Sequence, residues 1–260
     1  MGVEADSGLL HALLNVQRVL PSLEVRIMDN SIIFIEKQVI KLSHISEVKF
    51  RRVLKCFCED IPATSTANLS AINRNTVQRI FTLLRDRIVD MAIEESKPFV
   101  GDIEVDESYF GPRRVRGKRG RGASGKIPVL GLHKPQGRVF LSVVKNCSKA
   151  ELMPILQGRI VEGSDVYTDG WKAYDGLVTN GYQHHRVHHH ENEFARGKNH
   201  VNGIESFWSY AKFRMAKLRG VRKEKFLIHL KESEWRFNHR FDKTCSILAT
   251  QTRHFPLQTR

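Results

Sequence analysis

Between residues 99 and 220 the order of elements leaves few folds open: three strand patterns follow one another before any helix, and strand and helix then alternate. Strand patterns fall at 101–109, 127–133, 138–144, 165–168 and 183–188, and helix patterns at 149–160, about 171–178, and 200–219. Strands joined by loops suit an antiparallel meander, whereas strands joined by helices suit parallel pairing. The expected class is therefore α/β, a mixed sheet with helices on its faces.

Residues 43–97 read differently. A first helix from about Ser46 places Val48, Val53, Leu54 and Phe57 inward and ends near Pro62. A short second helix covers about Thr64 to Ile72, and Asn73-Arg74 makes a turn. Asn75 then serves as N-cap, with Gln78 completing a capping box. Val77, Ile80, Phe81, Leu84 and Ile88 follow at helical spacing. Two helices joined by a tight polar turn suit a helix-turn-helix, whose outer face would offer Arg74, Arg79, Arg85 and Arg87 to DNA. The other reading is a small helical bundle with a charged surface.

Residues 1–42 form a leader that connects to no motif, with a helix-like stripe from Leu9 to Leu20 and a strand-like run at Ile32–Ile35. At the other end, residues 223–260 hold an amphipathic helix over about 223–238 and a basic tail. The expected domains are thus 1–42, 43–97, 98–222 and 223–260.

Charge narrows the partners. The chain carries 42 Lys and Arg against 28 Asp and Glu, a formal net charge of +14, which favours a polyanion. The four cysteines include one close pair, Cys56 and Cys58, with no second pair to face it. That speaks against a zinc ribbon and against a disulfide framework, and for a reducing compartment. No apolar run approaches the ~20 residues that span a bilayer, and Glu4 and Asp6 precede the first leucines where a signal peptide is basic.

Three acidic residues stand where a two-metal centre needs them. Asp106 lies in the alternating run 102–110, Asp169 ends the run 165–169, and Glu205 sits in the helical stretch. Converging carboxylates must be neutralised or hold cations. Oxygen donors of this kind suit two Mg²⁺ or Mn²⁺ ions. Glu104 shares the strand face of Asp106 and Glu107 takes the other, so both compete for the assignment. In the helix, Val201, Ile204, Trp208, Ala211, Met215 and Leu218 form an apolar stripe, with Glu205, Lys212 and Arg219 along one edge. Lys212 can reach phosphate beside Glu205.

Other basic and aromatic residues point to nucleic acid. Arg113, Arg114, Arg116, Lys118, Arg119 and Arg121, interleaved with glycine, cannot build a core and suit a loop that grips phosphate. His184, His185, His188, His189 and His190 suit phosphate contact or support of the acidic centre better than zinc. Trp171 can stack on a flipped or terminal base or pack the following helix, while Tyr174 is better suited to packing.

Taken together, four stretches resemble a known family. They are Val105–Gly111, Tyr167–Tyr174, His200–Trp208 and Arg236–Arg240, within a likeness covering about residues 43–245. The chain resembles the DDE-type insertion-sequence transposases with a ribonuclease H-like core, in the group whose third carboxylate is followed by a lysine. The eukaryotic Merlin-type transposases are related. The resemblance implies a ribonuclease H-like mixed five-stranded sheet flanked by helices, with an N-terminal all-α helix-turn-helix region. It implies Asp106, Asp169 and Glu205 as metal ligands and Lys212 as the fourth signature residue. Many relatives carry a cysteine zinc ribbon before the helix-turn-helix, and none is readable here.

The implied activity is transposition: cleavage at terminal inverted repeats of double-stranded DNA, then transfer of the freed 3′-hydroxyl ends to target DNA. Joining two ends implies a homo-oligomer, and the location is the nucleoid or cytoplasm, or the nucleus in a eukaryote. The alternatives are a catalytically silent DNA-binding protein derived from a transposase, and a structure-specific nuclease of the same fold.

Overall fold

The computed structural model describes residues 23–28, 31–36, 45–111, 125–169, 171–187, 202–218, 220–255 and 257. The leader stripe, Arg113 to Arg121, His188 to His190 and Arg219 lie outside the described residues. Contacts divide the chain into two units, one of residues up to Arg87 with those from Phe241 on, the other Ile88–Arg240. The second division runs through the stretch 223–260 that the sequence groups together.

In the first unit, strands β1 (Leu23–Met28) and β2 (Ser31–Glu36) pair antiparallel. Helix α1 (Glu47–Cys58) starts at Ser46, whose hydroxyl accepts from the Lys49 N–H at 3.5 Å. Its inward residues are Phe50, Val53, Leu54 and Phe57, while Val48 is 71% exposed, contrary to the sequence expectation. Position 50 shares a helical face with 53, 54 and 57, and position 48 does not. Helix α2 (Ala63–Ser70) ends on Ala71 in the left-handed region at φ 51°. Helix α3 (Arg74–Glu94) begins two residues earlier than expected, because Asn73 rather than Asn75 caps it. The Asn73 side chain accepts from the Asn75 N–H at 2.8 Å, and its carbonyl accepts from Val77. Val77, Ile80, Phe81, Leu84 and Ile88 are all buried as the spacing predicts.

The second unit is a three-layer sandwich. Its sheet contains β3 (Asp102–Phe110), β4 (Ile127–His133), β5 (Val139–Val143), β6 (Asp165–Thr168) and β7 (Gln183–Arg186), in the order β5-β4-β3-β6-β7. The pairs β3–β4 and β4–β5 are antiparallel, and β3–β6 and β6–β7 are parallel. This is the mixed sheet expected from the element order, with the five strands that the resemblance implies. Helix α4 (Lys149–Arg159) packs Leu152, Met153 and Leu156 with Ile103, Val105, Leu130 and Val166 on one face. Helices α5 (Asn202–Lys217) and α6 (Lys223–Asn238) cover the other, where Ile204, Phe207, Trp208 and Leu230 meet Phe110, Val129, Leu141 and Tyr167. Helix α7 (Thr244–His254) belongs to the first unit.

One expected helix is absent. Residues 171–178 form two 3₁₀ turns, Lys172–Tyr174 and Val178–Asn180. Side chains compete with helical bonding here: the Gly176 carbonyl accepts from Thr179 Oγ1 at 2.9 Å and Asn180 Nδ2 at 2.6 Å.

Helix α6 also closes the edge of β5. Asn238 accepts from the Val139 N–H at 2.7 Å and donates to its carbonyl at 3.0 Å. Glu234 accepts from the Leu141 N–H at 2.8 Å, and Lys231 donates to the Leu141 carbonyl at 2.8 Å. Side chains thus take the place of a sixth strand, which blunts an otherwise open edge. Asn238 of the Arg236–Arg240 motif is explained by this contact.

The two helices on this face are joined by buried charge. Glu232 accepts from Arg214 of α5 at 2.5 Å and from Arg236 at 3.0 Å, and Glu232 is 0% exposed. Glu232→Ala leaves two guanidinium groups without their buried counter-charge. The expected cost is about 3–5 kcal/mol, read from urea unfolding; a loss below about 1 kcal/mol would place the network in solvent instead.

Candidate active site

The register of two parallel strands sets the site. Val105 of β3 pairs with Thr168, the last residue of β6, so Asp106, midway along β3, and Asp169, just beyond β6, follow as neighbours. Neighbouring strands lie about 4.8 Å apart. Here β3 is antiparallel to β4 and parallel to β6. Asp106 points to the α5 side, since Phe110, which shares its parity along β3, packs there with Trp208.

The helix is brought to this point by Glu104. Two residues before Asp106 on the same face, Glu104 is 4% exposed, and its Oε2 accepts from the Ile204 N–H at 2.7 Å. The Nδ1 of His133 lies 3.1 Å from the same oxygen. A carboxylate on a free N–H of the first helical turn satisfies an orphan donor and complements the helix dipole. Glu205 is the next residue along. Its side chain is exposed at the head of α5. Glu104 therefore positions the helix and does not compete with Asp106.

Two glycines permit the approach. A Cβ on Gly203 would overlap the His133 imidazole and stand 2.8 Å from Glu104 Oε2. A Cβ on Gly131, the cross-strand partner of Asp106, would stand 2.5 Å from the Trp208 ring. With no side chain at Gly131, Trp208 lies over β4 and its indole N–H donates to Asp106 Oδ2 at 3.0 Å.

Two neighbouring carboxylates act on Asp106. The Asp106 carboxyl is held above the ordinary carboxylate range, first by burial, and further by the charges of Asp169 and Glu205. Hydrogen bonds from the Glu107 backbone and Trp208 pull the other way. On the opposite face, burial and then Glu107 push the Tyr174 hydroxyl well above its usual value, so it stays protonated. Tyr174 is 0% exposed, as the packing reading of it requires.

Asp169 is tied down by its own segment. Its Oδ1 accepts from the Trp171 N–H at 3.1 Å, and the Trp171 indole donates to the Cys147 carbonyl at 3.2 Å. Trp171 is 40% exposed, so its ring is part wall and part surface. Thr168 Oγ1 donates to the Asp169 carbonyl at 2.7 Å and lies 2.8 Å from His184 Nε2. Burial, then Arg186, pushes the His184 imidazole down. His185 stacks on Tyr167 at 4.7 Å and reaches Asp165 at 2.7 Å. These two histidines brace β6 and β7.

Lys212 is exposed two turns beyond Glu205 on α5. Arg74 and Arg79 are exposed on α3. Arg85, expected outside, is 5% exposed, with its guanidinium 5.5 and 5.6 Å from the rings of Phe57 and Phe81. Position 85 follows Phe81 by four residues and so lies on the apolar stripe, where a guanidinium can stack on aromatic faces. Among the described residues, no three His, Cys, Asp or Glu side chains stand close enough together to hold a metal ion.

Residues 98–238, more than half of the chain, match the family model for the ISXO2-like transposase domain. An uncharacterized transposase-like protein of Haemophilus influenzae is 41% identical over 102 residues, 39% of this chain and 82% of that relative. An uncharacterized protein in transposable element ISH50, from Halobacterium salinarum, is 32% identical over 162 residues, 56% of this chain and 55% of that relative. Among solved structures, the Mos1 transposase paired-end complex with left transposon end aligns over 98% of this chain and 90% of that one, at 10% identity and a TM-score of 0.27.

Because the Asp106 carboxyl lies above its unfolded value, about 3.9, the folded chain holds that proton to higher pH. The linked stability is complete below the unfolded value and is lost as pH rises through the folded one. At pH 7 the buried carboxylate thus opposes folding. Asp106→Asn, which still accepts the Trp208 N–H, is expected to melt higher than wild type at pH 7 in chelator, with the gain shrinking below about pH 4. A lower melting temperature at pH 7 would contradict this account of Asp106.

Proposed function

The chain belongs to the ISXO2-like transposase domain family, and on that premise we propose that it is a DNA transposase that cuts the ends of its element and joins them to target DNA. The observation that supports this reading is that two carboxylates, Asp169 just after β6 and Glu205 at the start of α5, act on Asp106 of β3. Asp106, Asp169 and Glu205 would hold two Mg²⁺ or Mn²⁺ ions. Bound there, the ions would supply charge neutralisation at the scissile phosphate and activation of the attacking oxygen.

The chain's own groups prepare that centre. Trp208 fixes the Asp106 carboxylate, Trp171 fixes that of Asp169, and Glu104 sets the helix bearing Glu205. Lys212 would meet phosphate beside Glu205. Phosphoryl transfer of this kind depends on positioning and charge and needs no protein nucleophile. Hydrolysis would free a 3′-hydroxyl at the element's end, and that hydroxyl would then attack target DNA in line.

DNA would be held by charge, consistent with a formal net charge of +14. The exposed Arg74 and Arg79 on α3, after the tight turn from α2, suit a helix-turn-helix reading the terminal inverted repeats. The basic run from Arg113 to Arg121, with Arg219, would grip backbone phosphates, and Trp171 would stack on a terminal base. Two ends are joined, so the working form would be a homo-oligomer, located where the DNA is. Among the described residues no helix is long and apolar enough to cross a membrane.

The test is cleavage of a labelled duplex ending in the flanking repeat, with Mg²⁺ or Mn²⁺. Asp106→Asn, Asp169→Asn and Glu205→Gln are each expected to lower cleavage by at least about a thousandfold while binding the duplex as wild type does. Cleavage retained by all three variants would remove the assignment, and binding without cleavage by wild type would favour a silent DNA-binding protein.

A further inference from the structure

Helix α5 spends one face on packing and leaves another with an unusual occupant. Ile204, Phe207, Trp208, Ala211 and Arg214 are buried against the sheet and α6. On the opposite side Glu205, Ser209, Lys212 and Phe213 are exposed. Residues 205, 209 and 213 are spaced four apart and so lie in one row. Phe213 is 67% exposed, and the Lys217 Nζ stands 5.2 Å from its ring centroid. An aromatic ring held by a cation, flanked by a second lysine and aligned with Glu205, contributes nothing to the core of this unit.

Its chemistry matches one kind of partner. A nucleobase offers a flat face to stack on a ring, and its linking phosphates offer charge to lysines. An apolar protein surface would not favour the cations, and base pairs inside a duplex have no free face. We propose that Phe213 is a stacking platform for an unpaired DNA base, with Lys212 and Lys217 gripping the phosphates on either side. The proposal rests on the transposase reading and deepens it, by assigning a strand end as the substrate of this helix face. Eight residues of helix separate Glu205 from Phe213, about 12 Å along the axis. At about 3.4 Å per nucleotide, the stacked base lies roughly three or four nucleotides from the phosphate at the acidic centre. Stacking is indifferent to base identity, so this contact would hold a strand end without reading it.

The experiment compares fluorescence anisotropy of the full chain with two labelled DNAs in chelator, a blunt duplex and the same duplex with a four-nucleotide unpaired 3′ tail. Wild type is expected to favour the tailed DNA. Phe213→Ala is expected to weaken tailed binding about 5- to 100-fold and to leave blunt binding unchanged, while Phe213→Trp keeps the preference. Equal loss on both DNAs, or no loss on either, overturns the platform and leaves the transposase reading standing. Wild-type protein that binds neither DNA overturns both. Circular dichroism confirms that the exposed substitutions fold.

Discussion

The contact on which the site depends is the buried carboxylate of Glu104 against the first turn of α5. It joins three separate stretches of chain, because the oxygen that accepts the Ile204 N–H also faces His133. A buried carboxylate is costly unless its lone pairs are used, so the helix start has one favoured seat on the sheet. Gly203 and Gly131 are the steric conditions for that seat, one under His133 and the other under Trp208. Once α5 is seated, Trp208 reaches Asp106 and Glu205 comes within its field.

Stability and site chemistry pull in opposite directions at Asp106. Burial and two like charges raise its carboxyl, which opposes folding at neutral pH. In the proposed function a bound divalent cation would offset that cost, since it is drawn to negative charge. The surrounding fold supplies the rigidity to hold it. Helix α6 locks the free edge of β5 through Asn238, Glu234 and Lys231, and Glu232 ties α6 to Arg214 of α5. The acidic centre is thus framed by paired, buried charge.

Much of this was legible in the sequence because it rests on periodicity. Alternation placed Asp106 on a strand, and the element order gave the mixed sheet, from which the neighbouring positions of Asp106 and Asp169 follow by register. The spacing of Ile204, Trp208 and Ala211 gave the buried stripe of α5. What failed depended on contacts between distant residues or on local competition. Arg85 looks like a surface cation until it meets the adjoining rings of Phe57 and Phe81. Residues 171–178 look helical until the side chains of Thr179 and Asn180 take the Gly176 carbonyl. Glu104 was visible only as a rival to Asp106. Two signals pointed to its other role, a carboxylate between Ile103 and Val105 and a glycine in the first turn of the helix. Phe213 carried no signal at all, since an exposed phenylalanine is defined only by which face of α5 is covered.

The most direct measurement is the titration of the Asp106 carboxyl by ¹³C NMR in chelator, for wild type beside Glu205→Gln and Asp169→Asn. If the three carboxylates share one site, removing either neighbouring charge lowers the Asp106 midpoint relative to wild type. A midpoint unmoved by both substitutions would mean that the strand ends and the head of α5 do not form a common centre.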